Sequence, residues 1–487
     1  VSISEKFKNS LKNRLGHDAV SFLSHGKNYV GADLFAKGLS FISIPIFTRL
    51  LVPSDYGKVA LFLSIVSVLA IVFGWGIRGA VSRYYYESTN DFNRFIPSNI
   101  VFLLIVDTIL IVFLYLFRHQ ITSTFSFSPD LYYFALAVAM MQSIFQLYQA
   151  YLIVSKQSKS VAKLNVFHST GVIVISIILI LMMDNNRYLG KIYGSTIAIV
   201  LLFIYSSYKL IVLSEWKLNI KYVKYSLIFG IPVVFHLISQ YVLSTFDRMI
   251  INQLVDEKAT GLYSFAYQVG MLINIVYMGM LKSWTPIFYE KLKAKDYAGI
   301  ESLSRKYALI VTMLAVLLIL FSKEIVIIMA DSSYYESLNL IPVIIIGYMF
   351  FFYYTMYVNY AFYEKKTYLI SIFTIIAGGI NIGLNYLWIP QYGYSAAAWT
   401  TLVSYLILFL LHYLNVRFII KFSSINSIGK YFIDLIPIVM SGYLLYWINT
   451  HEMSYLIQFL IKITFVSAFA AIYIIYRLRE NGFKRVN

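Results

Sequence analysis

The chain has 487 residues, of which 59% are hydrophobic and only 13% charged, with a formal net charge of +17 and no cysteine. Soluble domains carry about 25% charged residues, so an ordinary soluble protein is excluded. The missing cysteines exclude a disulfide framework and a thiolate metal site.

At the start of the chain, residues 1–28 are too charged for the apolar core of a cleavable signal peptide. Ile3, Phe7, Leu11 and Leu15 recur every fourth residue with Lys6, Lys8, Lys12 and Arg14 between them. This pattern fits a short helix lying on an anionic inner leaflet and a frayed solvated tail equally well. Beyond it come fourteen apolar blocks, each about 18 to 25 residues long, the length that crosses about 30 Å of hydrocarbon. Their centres fall near residues 40, 68, 107, 142, 173, 201, 239, 271, 316, 349, 378, 404, 440 and 465. The predicted class is an all-α integral membrane protein, since a lone span must satisfy its own backbone polar groups. Spans one to six form an N-lobe over residues 29–216, and spans seven to twelve a C-lobe over residues 217–424. Residues 425–487 hold spans thirteen and fourteen and a tail. The outer loops are short. The larger inner ones, Ser214–Lys224 and Lys282–Lys306, read as amphipathic connectors.

The basic residues follow the loops. With the N-terminus inside and the sides alternating, about 29 of the 40 Lys and Arg fall in inner loops, a strong positive-inside bias. The charge is therefore topology rather than a nucleic-acid patch, and both termini are expected in the cytoplasm.

Two stretches match one another. The first, Arg49–Glu87, opens on a polar turn, continues through an apolar run and ends in Ser-Arg-Tyr-Tyr-Tyr-Glu. The second, Gly261–Glu290, repeats it more weakly. Counted from Gly57 and Gly261, Ser64 falls opposite Gln268 and Arg78 opposite Lys282. Arg49 and Arg248 each precede the turn. Two like halves with six spans each enter from the same side, which predicts parallel repeats with a site between them. Pro45 and Pro232, in the first span of each half, predict bending points.

Polar side chains recur at helical spacing within spans: Gln142, Gln146 and Gln149 in the fourth, and His236, Gln240, Ser244 and Asp247 in the seventh. Asn381 and Asn385 do so in the eleventh, and Asp33 with Lys37 in the first. Such stripes face other helices or water; helix–helix hydrogen bonding and cavity lining explain them equally well. Asp107 reads as a helix-pairing partner, Lys462 pairs with Asp434 in the neighbouring span, and Asp33 can pair with Lys37. Arg49 lies near the outer end of its span and Arg78 and Lys282 near inner ends, where snorkelling is cheap. The pairing by repeat, Arg49 with Arg248 and Arg78 with Lys282, predicts two cationic tiers along a pathway, and Lys37 is a further cavity candidate. Arginine forks suit phosphate oxygens, so a phosphate or pyrophosphate anion is the expected cargo. Asp247 with His236 on its face, Asp107 and Asp33 are candidates to bind a coupling H⁺ or Na⁺, helix pairing being the preferred reading for Asp107. No P-loop is present, so membrane potential or such an ion, rather than a nucleotide, is expected to drive movement, and no cofactor is expected.

Three stretches carry a resemblance: Thr48–Glu87, the run Asp247–Ser264 with Trp284-Thr285-Pro286, and Gly379–Asn385 followed by Ile389-Pro390 and Ala396–Ala398. They resemble polysaccharide repeat-unit flippases (O-antigen or capsule, Wzx-type) of the multidrug/oligosaccharidyl-lipid/polysaccharide exporter superfamily. The resemblance implies a two-lobed fold like that of multidrug exporters, with two added C-terminal helices forming a groove for a lipid tail. It also implies export of undecaprenyl-diphosphate-linked oligosaccharides across a bacterial inner membrane. In similar flippases basic residues of spans one, two, seven and eight line the cavity, positions that Arg49, Arg78, Arg248 and Lys282 match. A polysaccharide polymerase and chain-length proteins are the partners implied. The alternatives are a peptidoglycan-precursor flippase, a multidrug or cation antiporter of the same fold, and a membrane polymerase, whose catalytic outer loops this chain lacks.

Overall fold

The computed structural model describes residues 35–88, 91–422 and 428–483, and the described residues contain helices and turns but no strand. Thirteen helices among them are long and apolar enough to cross a membrane. The expected first span enters at residue 35 as helix α1, residues 35–50, and each of the other expected blocks meets one of the thirteen. The predicted interfacial segment 1–28 and Asp33 lie outside the described residues.

By contacts the chain falls into two compact units, Val1–Tyr241 with Arg248–Gly261, and Val242–Asp247 with Leu262–Asn487. The first holds α1, α2 (Pro53–Phe73), α3 (Ile77–Glu87), α4 (Phe92–Leu116), α5 (Arg118–Thr124) and α6 (Pro129–Val154). After these come α7 (Ser158–Leu181), α8 (Arg187–Leu213) and α9 (Ile220–Thr245), then most of α10 (Asp247–Leu254) and the start of α11 (Glu257–Gly270). Pro53 and Pro129 sit in the first turns of α2 and α6, where a missing N–H costs nothing. Asp256 caps α11, its Oδ1 accepting from Ala259 N at 2.7 Å.

Between α2 and α3 the backbone turns left-handed at Trp75 (φ 46°) and Gly76 (φ 67°). A side chain on Gly76 would collide with the Gly230 carbonyl of α9, so only glycine fits there. The Ser-Arg-Tyr-Tyr-Tyr-Glu run closes α3 onto its neighbours. Tyr84 stacks on Phe95 with ring centroids 4.2 Å apart, over a core that includes Ile77, Phe92, Ile96 and Leu147. Glu87 accepts from Tyr225 Oη at 2.7 Å and from Arg83 Nε at 2.6 Å. These donors, Tyr225 first, hold the Glu87 carboxyl below its ordinary range.

The repeat-matched glycines meet directly. A Cβ on Gly57 would strike the Glu257 carbonyl oxygen and lie 2.9 Å from Gly261 N. One on Gly261 would strike the Pro53 carbonyl oxygen and lie 3.0 Å from Gly57 N. Each obstructing carbonyl lies four residues before the other glycine, so the contact is reciprocal. Lys58 Nζ reaches Glu257 Oε2 at 3.3 Å beside it.

The second unit continues with α12 (Leu272–Lys293), α13 (Tyr297–Leu320), α14 (Ser322–Met329) and a 3₁₀ segment (Ser332–Leu340). It ends with α15 (Ile341–Tyr363), α16 (Thr367–Tyr392), α17 (Ala396–Leu414) with a π turn (Asn415–Ile419), α18 (Ile428–Thr450) and α19 (Tyr455–Phe483). Within its membrane-spanning window α15 is 83% buried, against 11% for α19. So α15 is the axis of this unit, with α17 packed along it and α18 against α13. Tyr353, Phe409 and Tyr431 fill the seam with rings 4.8 to 5.9 Å apart.

Three expectations are corrected. The prolines do not interrupt their helices: α1 and α9 run through Pro45 and Pro232, and the interruptions fall at 74–76, 246 and 271. A proline removes one ladder bond, whereas two successive left-handed residues turn the chain out of the helix. Lys282–Lys306 is not a connector but the ends of α12 and α13, with Asp296 capping α13 through Gly299 N at 2.8 Å. Finally, Lys462 pairs with Glu324 of α14 at 2.6 Å rather than with Asp434, because α19 packs against α13, whose end continues into α14.

Candidate functional site

The most connected polar site forms around Asp247. Helix α9 ends at Thr245 and α10 opens on Asp247, so the carboxylate sits at a helix start, where negative charge is favoured. It is fully buried. Tyr263 of α11 donates its hydroxyl to Oδ2 at 2.6 Å, and Thr401 of α17 donates to the same oxygen at 2.7 Å. Asn385 of α16 donates its amide to Oδ1 at 2.7 Å. Asn385 also donates to Asn381 Oδ1 at 3.2 Å, one turn back along the helix. Asn381 in turn reaches Thr401 Oγ1 at 3.4 Å, and Thr400 donates to Asn385 Oδ1. Every member is buried. The set holds one carboxylate, two amides and three hydroxyls, a donor chemistry that suits H⁺ or a hard monovalent cation. A group of three or more His, Cys, Asp or Glu that would hold a multivalent metal is absent among the described residues.

Of the residues singled out in the sequence, the structure brings together Asp247, expected to bind a coupling ion, with Asn381 and Asn385, expected only as a polar stripe. His236 and Gln240 remain on α9, which ends before Asp247, so the predicted continuous stripe stops at the break. His236 is half-buried with Nδ1 unpartnered, and Gln240 is exposed. Tyr263, Thr400 and Thr401 were not anticipated. Their signal was position: Tyr263 stands inside the Asp247–Ser264 run, and the two threonines follow Ala396–Ala398.

The cations sit on the expected helices. Lys37 and Arg49 are exposed on α1, Arg78 on α3 and Lys282 on α12, while Arg248 on α10 is half-buried beside Asp247 in the chain. Arg49 Nη1 donates back to the Pro45 carbonyl at 2.9 Å. Arg78 follows the left-handed Trp75–Gly76 joint by two residues, so the joint's conformation aims it. Of the glutamine stripe, Gln149 bonds Asn165 of α7 at 2.8 Å, helix-to-helix bonding, and Gln142 and Gln146 are half-buried on α6.

Residues 28–292 match the family described as "Polysaccharide biosynthesis protein", and residues 232–387 match the family MatE. A protein of the Lsg locus of Haemophilus influenzae is 24% identical over 354 residues, 70% of this chain and 85% of the relative. "Probable low-salt glycan biosynthesis flippase Agl15" of Haloferax volcanii is 24% identical over 469 residues, 93% of this chain and 96% of the relative. Among solved structures, lipid II flippase MurJ in an inward closed conformation superposes with a TM-score of 0.70 at 17% identity. That match covers 91% of this chain and 98% of the MurJ chain, and it shows a shared fold. The chain thus belongs to the polysaccharide biosynthesis protein family, within the multidrug/oligosaccharidyl-lipid/polysaccharide exporter superfamily.

Proposed function

We propose that the chain flips undecaprenyl-diphosphate-linked oligosaccharide repeat units from the cytoplasmic to the outer face of a bacterial inner membrane. It does so by alternating access between lobes at 29–216 and 217–424. The observation that carries this reading is that the family match over residues 28–292 contains all four repeat-paired cations, Arg49, Arg78, Arg248 and Lys282. These are positive groups on helices within or beside the spans, and a charge carried to the centre of a span costs at least about 2.5–3.5 kcal/mol on insertion scales. A diphosphate returns that cost through bidentate, charge-assisted hydrogen bonds. It leaves water without leaving positive charge, so the headgroup passes the low-dielectric zone neutralised. Outward movement of each negative charge gains about 2.3 kcal/mol per 100 mV of inside-negative potential.

Asp247 is the proposed coupling site for H⁺ or Na⁺. With three donors on its oxygens the carboxylate is satisfied as it stands. To take a cation, Asn385 would turn its amide oxygen inward and the Thr401 hydroxyl would swing aside. A polymerase and chain-length proteins would receive the product on the outer face.

The test is translocation of a lipid-linked repeat unit, scored by surface glycan in cells and by headgroup accessibility in proteoliposomes. Arg78→Ala and Arg248→Ala should insert normally and lose translocation at least tenfold, and Arg78→Lys and Arg248→Lys should recover part of it. Transport at the unsubstituted rate by both alanine variants would remove the assignment.

A further inference from the structure

The first unit has an apolar cavity that the transport reading does not use. It lies between α4, α6 and α8 and measures about 330 Å³. Its wall includes Ile111 and Tyr115 of α4, Tyr133, Ala137 and Met141 of α6, and Phe203 of α8. Two bonds fix α4 beside it. Trp75 Nε1 donates to Asp107 Oδ1 at 3.2 Å, and Tyr132 Oη of α6 donates to the Leu114 carbonyl at 3.2 Å. Otherwise α4 is loosely packed: 22% of its membrane-spanning window is buried, against 61% for α6. The cavity is the gap this leaves. It opens at the surface of the unit, where Tyr115, Tyr133 and Ala137 are exposed. An apolar cavity of about 150 Å³ stays dry and accepts benzene, so this larger one has room for a length of hydrocarbon chain.

One end of the cavity carries the marks of a membrane interface. The rings of Tyr115 and Tyr133 stand 5.7 Å apart there, and amphipathic rings of this kind settle at the headgroup level. From Tyr133 the wall descends α6 to Met141, about 12 Å at 1.5 Å per residue. That is close to one leaflet's share of about 30 Å of hydrocarbon, and the slot runs along the helices as a lipid chain does. Just beyond the two tyrosines stands Arg118, at the start of α5. Its guanidinium lies 4.3 Å over the Tyr115 ring, and its Nη1 donates to the Tyr115 carbonyl at 3.0 Å. Among the described residues it forms no ion pair with an acid. A guanidinium has five N–H donors, so most of the fork is left for an anion.

We propose that this cavity holds one acyl chain of an anionic phospholipid, with the lipid phosphate on Arg118. In the expected topology the α4–α5 turn is outside, so the lipid belongs to the outer leaflet. A single molecule of that kind meets both features at once. Its phosphate takes charge-assisted bonds from the arginine fork, and its chain restores the dispersion contacts that an unfilled gap forfeits. Met140 and Met141, both in the wall, are side chains that adapt to an irregular occupant. The seated chain becomes part of the packing between α4 and α6, so binding stabilises the first unit.

The experiment uses the full purified chain, delipidated in detergent. Native mass spectrometry counts bound dioleoylphosphatidylglycerol, and the melting temperature is followed in parallel. One tightly held molecule per chain is expected, and it should raise the melting temperature. Dioleoylglycerol, with the same chains and no phosphate, should bind about tenfold more weakly, the worth of a charge-assisted hydrogen bond. Arg118→Gln should bring phosphatidylglycerol down to that level. Arg187→Gln, which removes an exposed cation at the start of α8, should change nothing. Ala137→Phe places a ring in the slot and should remove the tight molecule. If that variant does not elute as a single species, Arg118→Gln, outside the apolar wall, still decides. Four results would overturn the proposal: undiminished retention in Arg118→Gln, equal binding of dioleoylglycerol, an equal loss in Arg187→Gln, or displacement of phosphatidylglycerol by equimolar undecaprenyl phosphate. The last would give the cavity to the tail of the cargo. No arm measures translocation, so the outcome is independent of the transport function proposed above.

Discussion

Lys462 shows how much a single side chain in a span depends on one partner. It has no exposed side-chain surface, its Nζ lies 2.6 Å from Glu324 Oε1, and the Glu324 side chain is 16% exposed. The ring of Phe321 stands 5.6 Å from the ammonium. Removing one member of a buried ion pair strands the other, typically at a cost of about 3–5 kcal/mol, while replacing both with apolar groups is often neutral. Lys462→Met is therefore expected to lower the melting temperature in detergent markedly, and Lys462→Met combined with Glu324→Leu to regain most of the loss. A single variant as stable as the unsubstituted protein would show that the pair contributes nothing. The sequence identified Lys462 as a buried charge needing an acid, but chose Asp434 because it lies on the preceding span. Which helix a side chain faces is decided by packing between elements distant in the chain, and no local pattern encodes it. The same limit governs the Asp247 cluster. Asn381 and Asn385, four apart on one helix, were legible as a stripe. Tyr263, Thr400 and Thr401 became visible only once α11 and α17 were folded against α16.

At the scale of elements, the helices were legible because length and apolarity alone define a span, and Gly57 and Gly261 stood out because they recur in matching surroundings. What the spacing did not reveal is that these two glycines touch. Helices α2 and α11 cross so closely that each glycine's missing Cβ is replaced by the other helix's backbone. Small residues at helix crossings in membranes work this way, letting backbones approach where lipid offers no hydrophobic drive. Gly57→Ala and Gly261→Ala should each force the crossing apart, at a cost of about 1–3 kcal/mol for overpacking. Because either substitution alone separates the helices, the double variant should cost less than the sum of the two. Gly279 and Gly383, whose added Cβ would meet nothing within 4 Å, are the controls; alanine there should be neutral or slightly stabilising. Thermal unfolding of the five variants in detergent decides it: strictly additive losses, or none, would mean that the crossing is loose.

Over the whole molecule, the helix ends carry a record of orientation that charge counting alone does not contain. Helices α6, α12 and α15, which the proposed topology runs toward the cytoplasm, all stop in one way. A lysine takes the left-handed position just past the helix, Lys156 (φ 57°), Lys295 (φ 58°) and Lys365 (φ 56°). In each, two backbone bonds close the end, as where Lys156 N reaches Ile153 O at 3.1 Å and Gln157 N reaches Leu152 O at 2.9 Å. Glycine usually fills that place, since a side chain there costs about 1–2 kcal/mol. Toward the other side the left-handed positions are Ser126, Asn186 and Gly393, residues without positive charge. An ammonium beside a helix C-terminus recovers about 0.3–1 kcal/mol from the dipole, and one near an anionic inner leaflet about 1 kcal/mol more. The lysines thus offset their backbone strain only if those ends face inward. With no native cysteine to interfere, single cysteines report the orientation directly. Ser126→Cys should react with an impermeant maleimide on intact cells, and Lys295→Cys and Lys365→Cys only after permeabilisation. The reverse pattern would invert the topology and, with it, the direction of transport proposed for this chain.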